Sequence, residues 1–337
     1  MPDAPDLART NVPVPAELVV SDPGKLRWGT VSTIRAPLCD IARFAAFHLD
    51  LGAAEVNIYL DVPDPKTADF FAAHKAVRVA QCTDDYWSGK PEKARSTHQL
   101  RQAFNASHCY RNTGLDWLAH IDVDEFLLAP QSIAQLLASA PADAAFARLR
   151  PAEMLAQPDP WVGPSHFKLT GQEVGLEKSV IRDFYPEFGP YVPEGFLSHI
   201  GGKNIARTGL ANIRLGLHHL QQNGARVANG HPLTSAHIGH AHAPSWEVFQ
   251  QHMTFRMRKG SYRRKPNETM KVADILDLIS AEDGDAGLRR FFDELCQASP
   301  ALLAHLSAHD MLLTASLDLD EKVARWFGEL PASENRT

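Results

Sequence analysis

Between residues 28 and 121, apolar extended segments alternate with helical ones, and no other feature constrains the fold as strongly. Trp28–Ile34 alternates and is rich in β-branched residues, so it reads as a first strand. Residues 37–51 carry Leu38, Ile41, Phe44, Ala45 and Leu49 on one helical face, and Gly52 ends that helix as a C-cap would. Val56-Asn57-Ile58-Tyr59-Leu60 is a second strand closing on Asp61; a turn at residues 63–65 leads to a second helix over 67–74. Residues 77–80 form a third strand, residues 96–113 a long helix broken by Gly114, and residues 117–121 a fourth strand. Strands alternating with helices predict a parallel α/β sheet covered on both faces. Ligands of such sheets sit beyond the carboxyl ends of the strands, where Asp61 and Asp122 each follow an apolar strand directly. A G-x-G-x-x-G fingerprint after the first strand and a Walker A sequence are both absent, which argues against a Rossmann dehydrogenase or a P-loop NTPase.

The chemistry concentrates at the end of the fourth strand, in Ile121-Asp122-Val123-Asp124-Glu125-Phe126-Leu127. On an extended backbone, Asp122 and Asp124 project to one side and Val123 to the other. Two close carboxylates repel one another and are expensive to bury; a divalent cation with oxygen ligands relieves both costs. Without such an ion, the motif is a solvated acidic turn.

Composition bounds the rest. The 337 residues are 44% hydrophobic and 22% charged, ordinary for a globular protein, and the net charge of −6 offers nucleic acid no general attraction. Cys39, Cys82, Cys109 and Cys296 are scattered, as reduced thiols of a cytoplasmic protein would be. No apolar run approaches a membrane span, and the Pro- and Asp-rich start lacks the pattern of a secretory signal. Seven of the 16 histidines fall between His199 and His242, a loop fluctuation or a sign of metal or phosphate contact. Beyond the acidic motif, residues 132–140 predict a short helix and 146–150 a strand. Residues 151–216 predict irregular sheet and loops; from Ser245 onward the chain reads as helical, and its last helices, at roughly 273–279, 286–297 and 320–327, read as a small all-α cap. The basic residues Arg256, Arg258, Lys259, Arg263, Arg264 and Lys265 read as a solvated helix face. They also suit a diphosphate, an anionic polysaccharide or the inner leaflet of a membrane as a peripheral partner.

Taken together, Asp116-Trp117 with the acidic motif, His48-x3-Gly52-Ala53 with Val56-x-Ile58-Tyr59-x-Asp61, Gly202-Lys203-Asn204-Ile205-Ala206-Arg207 before His218-His219, and His240 ahead of Ser245-Trp246-x-x-Phe249 resemble a family-2-like glycosyltransferase of GT-A fold. The resemblance covers residues 29–264; it departs where such enzymes carry Lys-Asn-Glu after the first strand and this chain has Arg35-Ala36-Pro37. It implies a GT-A-like, mostly parallel sheet flanked by helices with a C-terminal helical region. The implied division is a flexible extension or surface strap at 1–24, a nucleotide-sugar-binding half at 25–150, an acceptor-binding and catalytic half at 151–250, and a helical region at 251–337.

The implied reaction is metal-dependent transfer of a sugar from a nucleotide diphosphate sugar, UDP-linked by preference, to an acceptor hydroxyl of a surface glycan or small glycoside. Mn2+ or Mg2+ would be held directly by Asp124, with Asp122 reaching it through water or facing the ribose, and His240, or else His242, as a further ligand. Lys203 and Arg207 are the candidate diphosphate clamps, Asp61 the candidate acceptor from uracil or ribose, and Arg101 a weaker candidate. Glu125 reads equally as a structural acceptor at the strand end. If the anomeric centre inverts, Glu173, Glu177 or Asp183 takes the acceptor proton, Glu173 being the first to test. A metal-dependent phosphohydrolase and a non-catalytic nucleotide- or glycan-binding module are the rival readings.

Overall fold

The computed structural model describes residues 8–158, 161, 163–192, 194–258, 260, 262 and 272–331. In chain order the main elements begin with β1 (Trp28–Ile34), α1 (Leu38–Asp50), β2 (Glu55–Leu60), α2 (Pro65–Phe71), β3 (Val77–Gln81), α3 (His98–Asn112) and β4 (Trp117–His120). They continue with β5 (Glu125–Leu128), α4 (Ile133–Ala138), β6 (Phe146–Met154), β7 (Ser165–Lys168), β8 (Lys203–Arg207) and β9 (Gly230–His240). The last are α5 (Trp246–Arg258), α6 (Val272–Glu282), α7 (Gly284–Leu295), α8 (Pro300–Ala308), β10 (Leu312–Ala315) and α9 (Leu319–Phe327). The fold is mixed α/β, a large mixed sheet flanked by helices. Among the described residues no helix is long and apolar enough to cross a membrane.

The chain divides into two compact units built from separated segments, not the four consecutive stretches the sequence suggests. The first takes the described residues of Pro5–Arg150, Gly202–Ile238 and Asp318–Thr337; the second takes those of Pro151–Gly201 and Gly239–Leu317. In the first unit the strand order is β6-β8-β4-β1-β2-β3. β1 to β4 are mutually parallel, as the strand–helix rhythm predicts, while β8 runs antiparallel to both β4 and β6. The expected mostly parallel sheet is therefore corrected to a mixed one: parallel neighbours need a crossover connection, and the chain enters β8 from the 151–201 excursion instead. All seven residues of β1 are buried, which suits a central strand covered on both faces. Gly29 permits the close β1–β2 approach, because a Cβ there would lie 2.3 Å from the Glu55 carbonyl oxygen.

α1 buries Leu38, Cys39, Ile41, Ala42, Phe44 and most of its remaining residues, more than one amphipathic stripe would. The reason lies at the far end of the chain: α9 belongs to this unit and packs on α1, with Arg43 donating to Asp320 and Arg325 to Asp50. Of the residues assigned to the N-terminal extension, 1–7 lie outside the described set. Those that follow are tied down: Arg9–Thr10 pairs in parallel with Arg226 and Val227, and Val12 is buried.

In the second unit β7 pairs antiparallel with β10 and with the end of β6, beside a core that includes Tyr185, Phe249, Tyr262, Phe291, Phe292, Leu295 and Leu306. The predicted all-α cap is corrected here, since β10 is a strand and α9 lies in the other unit. Leu312-Leu313-Thr314-Ala315 is too short to announce itself in sequence; its partner strand decides its conformation.

Candidate functional site

The carboxyl edge of the parallel strands brings together Asp61 with Arg101 and Asp122 with Lys203. Asp61, directly after β2, is gripped in bidentate fashion by Arg101, Nε to Oδ1 at 2.6 Å and Nη2 to Oδ2 at 2.7 Å, with His98 Nδ1 3.3 Å from Oδ2. Burial by itself would raise the pKa of this carboxyl, but the hydrogen bonds from Arg101 and His98 outweigh it and hold Asp61 well below the usual carboxylate range. The next residue on α3, Gln102, donates Nε2 to Asp122 Oδ1 at 2.5 Å. One turn of α3 thus fixes the aspartates that follow β2 and β4, the two strands flanking β1. A helix that follows a parallel strand starts at the carboxyl edge, and α3 starts there on the cap of Thr97, which accepts from Leu100 N–H.

β4 ends at His120 and β5 begins at Glu125, so residues 122–124 form a turn rather than an extended strand. The argument that alternation alone makes Asp122 and Asp124 co-facing therefore does not apply. What shapes the turn is Glu125, whose Oε2 accepts the Asp122 N–H at 2.8 Å, and Lys203, whose Nζ lies 2.6 Å from Asp122 Oδ2 and 3.0 Å from Glu125 Oε2. The Lys203 side chain is 3% exposed and that of Asp122 is 32% exposed. Burial would lower the Lys203 pKa, but the two carboxylates outweigh it and raise the value above normal, so the ammonium is permanent. Gly202, at φ +63° and 2.1 Å from the Leu149 carbonyl oxygen as judged by an added Cβ, lets β8 begin where Lys203 can reach the turn. His120 stays neutral beneath them, its pKa pushed down to about 4 by burial and by Lys203. Asp124 is partly exposed. Asp40, in the first turn of α1, has its carboxyl pKa raised by burial; Arg43 opposes the rise and the charge of Asp124 adds to it, which brings these two carboxylates into one neighbourhood.

A pocket of about 350 Å³ opens at the same edge, lined by residues 34–37 after β1 and by Leu60 and residues 62–64 after β2. Its walls are apolar except for Arg35, which is exposed, and Asp64, which caps α2 by accepting from Lys66 N–H, Thr67 N–H and the Thr67 hydroxyl.

The remaining sequence-predicted residues are placed as follows. Lys203 belongs to the acidic turn as its counter-ion, not as an open diphosphate clamp. Arg207 is corrected to a packing role. It is 1% exposed, donates to the carbonyls of Ala144, Leu18 and Pro141, and lies over the Trp117 ring with Cζ 4.4 Å from the centroid. Glu173 sits partly buried in the helical turn Gly171–Val174, and Glu177 and Asp183 are exposed at the two ends of Lys178–Arg182; all three belong to the second unit, as does His240. Among the described residues no group of three or more His, Cys, Asp or Glu side chains is arranged to hold a metal ion. Of the basic stretch, Arg258 is exposed, Arg256 is buried, and Lys259, Arg263, Arg264 and Lys265 lie outside the described residues. Sequence reasoning missed Gln102 and Asp40. The available signal for Gln102 was a polar stripe on α3, where Gln102, Asn105 and Ser107 occupy buried positions that packing alone would give to apolar residues.

No family model matches the chain, and no curated protein matches it significantly.

Proposed function

We propose that the protein is a metal-dependent glycosyltransferase that takes a nucleotide diphosphate sugar, UDP-linked by preference, and transfers the sugar to an acceptor hydroxyl of a glycan or small glycoside. One observation carries the reading: a pocket at the ends of β1 and β2 shares its sheet edge with two helix-anchored aspartates, Asp61 and Asp122, and with the turn that presents Asp124. That edge is where open α/β sheets bind nucleotides.

The donor set fits a divalent ion held mainly by its ligand. Asp122 Oδ1 and Oδ2 already receive Gln102 and Lys203, so Asp124, with Asp40 in its neighbourhood, would hold Mg2+ or Mn2+. One or two carboxylates completed by phosphate oxygens is the usual protein share of a Mg2+ shell. Bound there, the ion would neutralise charge on the departing diphosphate. The chain's own residues do the rest. Lys203 bridges Asp122 and Glu125 and fixes the turn. Asp122, oriented from two sides, accepts from a ribose hydroxyl or a bridging water. The Asp61–Arg101 pair rigidifies the far wall of the nucleotide site rather than offering an open carboxylate. If the anomeric centre inverts, a carboxylate must take the acceptor proton, and Glu173 is the first to test, before Glu177 and Asp183.

Incubation with UDP-sugars and Mn2+, with and without EDTA, tests the reading through UDP release. Slow release that EDTA abolishes supports it; release of phosphate from simple monoesters, or binding with no turnover, replaces it with a hydrolase or a binding module.

A further inference from the structure

The second unit holds a cluster of nitrogen donors that the proposed function does not use. α5 carries Arg256 into the core, where it is 8% exposed. Its Nη2 donates to the His242 carbonyl at 2.6 Å, and its Nη1 is buried with no hydrogen-bond partner. A buried guanidinium N–H without an acceptor is an exception in folded proteins and signals a water or ion that belongs beside it.

The groups around it can each donate a hydrogen bond. The Arg256 Cζ lies 5.9 Å from the Tyr262 ring centroid, and the Tyr262 hydroxyl meets His242 Nε2 at 2.9 Å. The His240 ring stands 5.1 Å from that of His242. His252 precedes Arg256 by one helical turn of α5, on the same face. Burial, then the charges of Arg256, His240, Lys168 and His252, all hold the His242 imidazole neutral, so these groups share one neighbourhood. Among the described residues, one carboxylate near Tyr262, Glu153, is committed: it pairs with Lys168 at 3.1 Å and accepts the Leu197 and Ser198 N–H groups. Exposure grades from buried Arg256 and His242 through half-buried His240 to exposed His252, so the cluster runs from core to surface.

We propose that Arg256, with Tyr262, His252 and His240 around it, forms a binding site for a phosphate-type oxyanion on the second unit. A guanidinium fork matches a tetrahedral oxyanion, and imidazole N–H groups beside it add donors. A metal ion is disfavoured at the same place by the permanent charge of Arg256, which also removes the reason to read His240 as a metal ligand. The proposal is independent of the glycosyltransferase reading.

The test uses the full chain, with inorganic phosphate as probe and chloride at matched ionic strength as control. Melting temperature and calorimetric titration are the readouts. Phosphate raises the melting temperature of the wild-type protein saturably, and Arg256→Gln removes that rise. Arg256→Gln also removes a donor to the His242 carbonyl, so His252→Ala, at an exposed position, is the second variant. It keeps the phosphate-free melting temperature and weakens phosphate binding by about threefold or more. If Arg256→Gln fails to fold, His252→Ala alone decides. Glycerol phosphate run in parallel identifies the source: tighter binding than inorganic phosphate assigns a phosphorylated compound, weaker binding assigns the free ion, and either supports the site. A wild-type protein with no saturable phosphate response, or a response of equal size in the folded variants, overturns the proposal.

Discussion

Each unit buries a lysine against carboxylate, and the two solutions differ in charge balance. In the second unit Lys168 meets one carboxylate, Glu153, and gives its other protons to the carbonyls of Gly195 and Leu295; the group is sealed and neutral. In the first unit Lys203 meets two carboxylates, Asp122 and Glu125, and Asp122 is open to solvent on one side. The sealed pair staples loops to strands. The open one sets Asp122 and Glu125, with Asp124 beside them in the chain, at a sheet edge. Buried ion pairs are weak contributors to stability while intact and costly when broken, so substitutions separate the two roles.

The largest effect is expected at the sealed pair. Lys168→Met strands Glu153 without compensation and costs about 3–5 kcal/mol of stability in denaturant titrations. The double variant Lys168→Met with Glu153→Gln recovers much of the loss. Lys203→Met costs less, about 1–3 kcal/mol, because Asp122 keeps Gln102 and water. It weakens Mn2+-dependent UDP binding, which Lys168→Met spares in protein that folds. If Lys203→Met proves the more destabilising of the two, with UDP affinity unchanged, the contrast between a site and a staple is wrong.

Arg207→Met removes three carbonyl contacts and the stacking on Trp117, at about 2–4 kcal/mol, and changes UDP affinity by less than about twofold. A selective loss of UDP affinity would restore Arg207 to the diphosphate.

Acid sensitivity has a definite sign. His48 is fully buried and its pKa is pushed down to about 4 by burial, while the unfolded chain titrates near 6.5. Between those values the unfolded state binds more protons, so the stability His48 contributes is present above pH ~6.5 and is lost as pH falls toward 4. From pH 7 to pH 5 the loss is about 2 kcal/mol from this group. His48→Phe should flatten that part of the pH profile, read by urea unfolding; an unaltered profile would exclude His48 as its source.

The smallest stability effects belong to the exposed carboxylates. Glu177→Gln and Asp183→Asn should shift stability by less than about 0.5 kcal/mol. Turnover, if Glu173 is the proton acceptor, falls in Glu173→Gln with UDP affinity intact; a larger fall in either of the other two moves the base.

The parallel core is the legible part of the fold. β1 is predicted to the residue, and α1, β2, β3, α3 and β4 to within a few residues at each end, because hydrophobic period and turn residues agree there. β8 and β10 were not foreseen in their pairing, since antiparallel partners are chosen by segments far apart in the chain. Asp61 and Asp122 stand out in sequence because each ends an apolar run. Their anchors do not: Arg101 and Gln102 are ordinary helix residues until the fold brings α3 over both strand ends. Lys203 and Arg207, four positions apart, look equivalent in sequence. The strand register separates them, setting one against the acidic turn and the other against Trp117. The same limit applies to the histidine-rich stretch, where composition alone cannot tell a metal shell from an oxyanion pocket. On the proposal made above, the buried Arg256 favours the oxyanion.

The central claim is that the turn after β4 holds a cation which in turn holds a nucleotide. Calorimetric titration of UDP in the presence of Mn2+, comparing the wild-type protein with Asp124→Ala, tests it most directly. The account predicts binding that requires the metal and weakens at least about tenfold, ~1.4 kcal/mol, in the variant while its unfolding curve is unchanged. UDP affinity that is equal in the two proteins, or that does not depend on Mn2+, would contradict it.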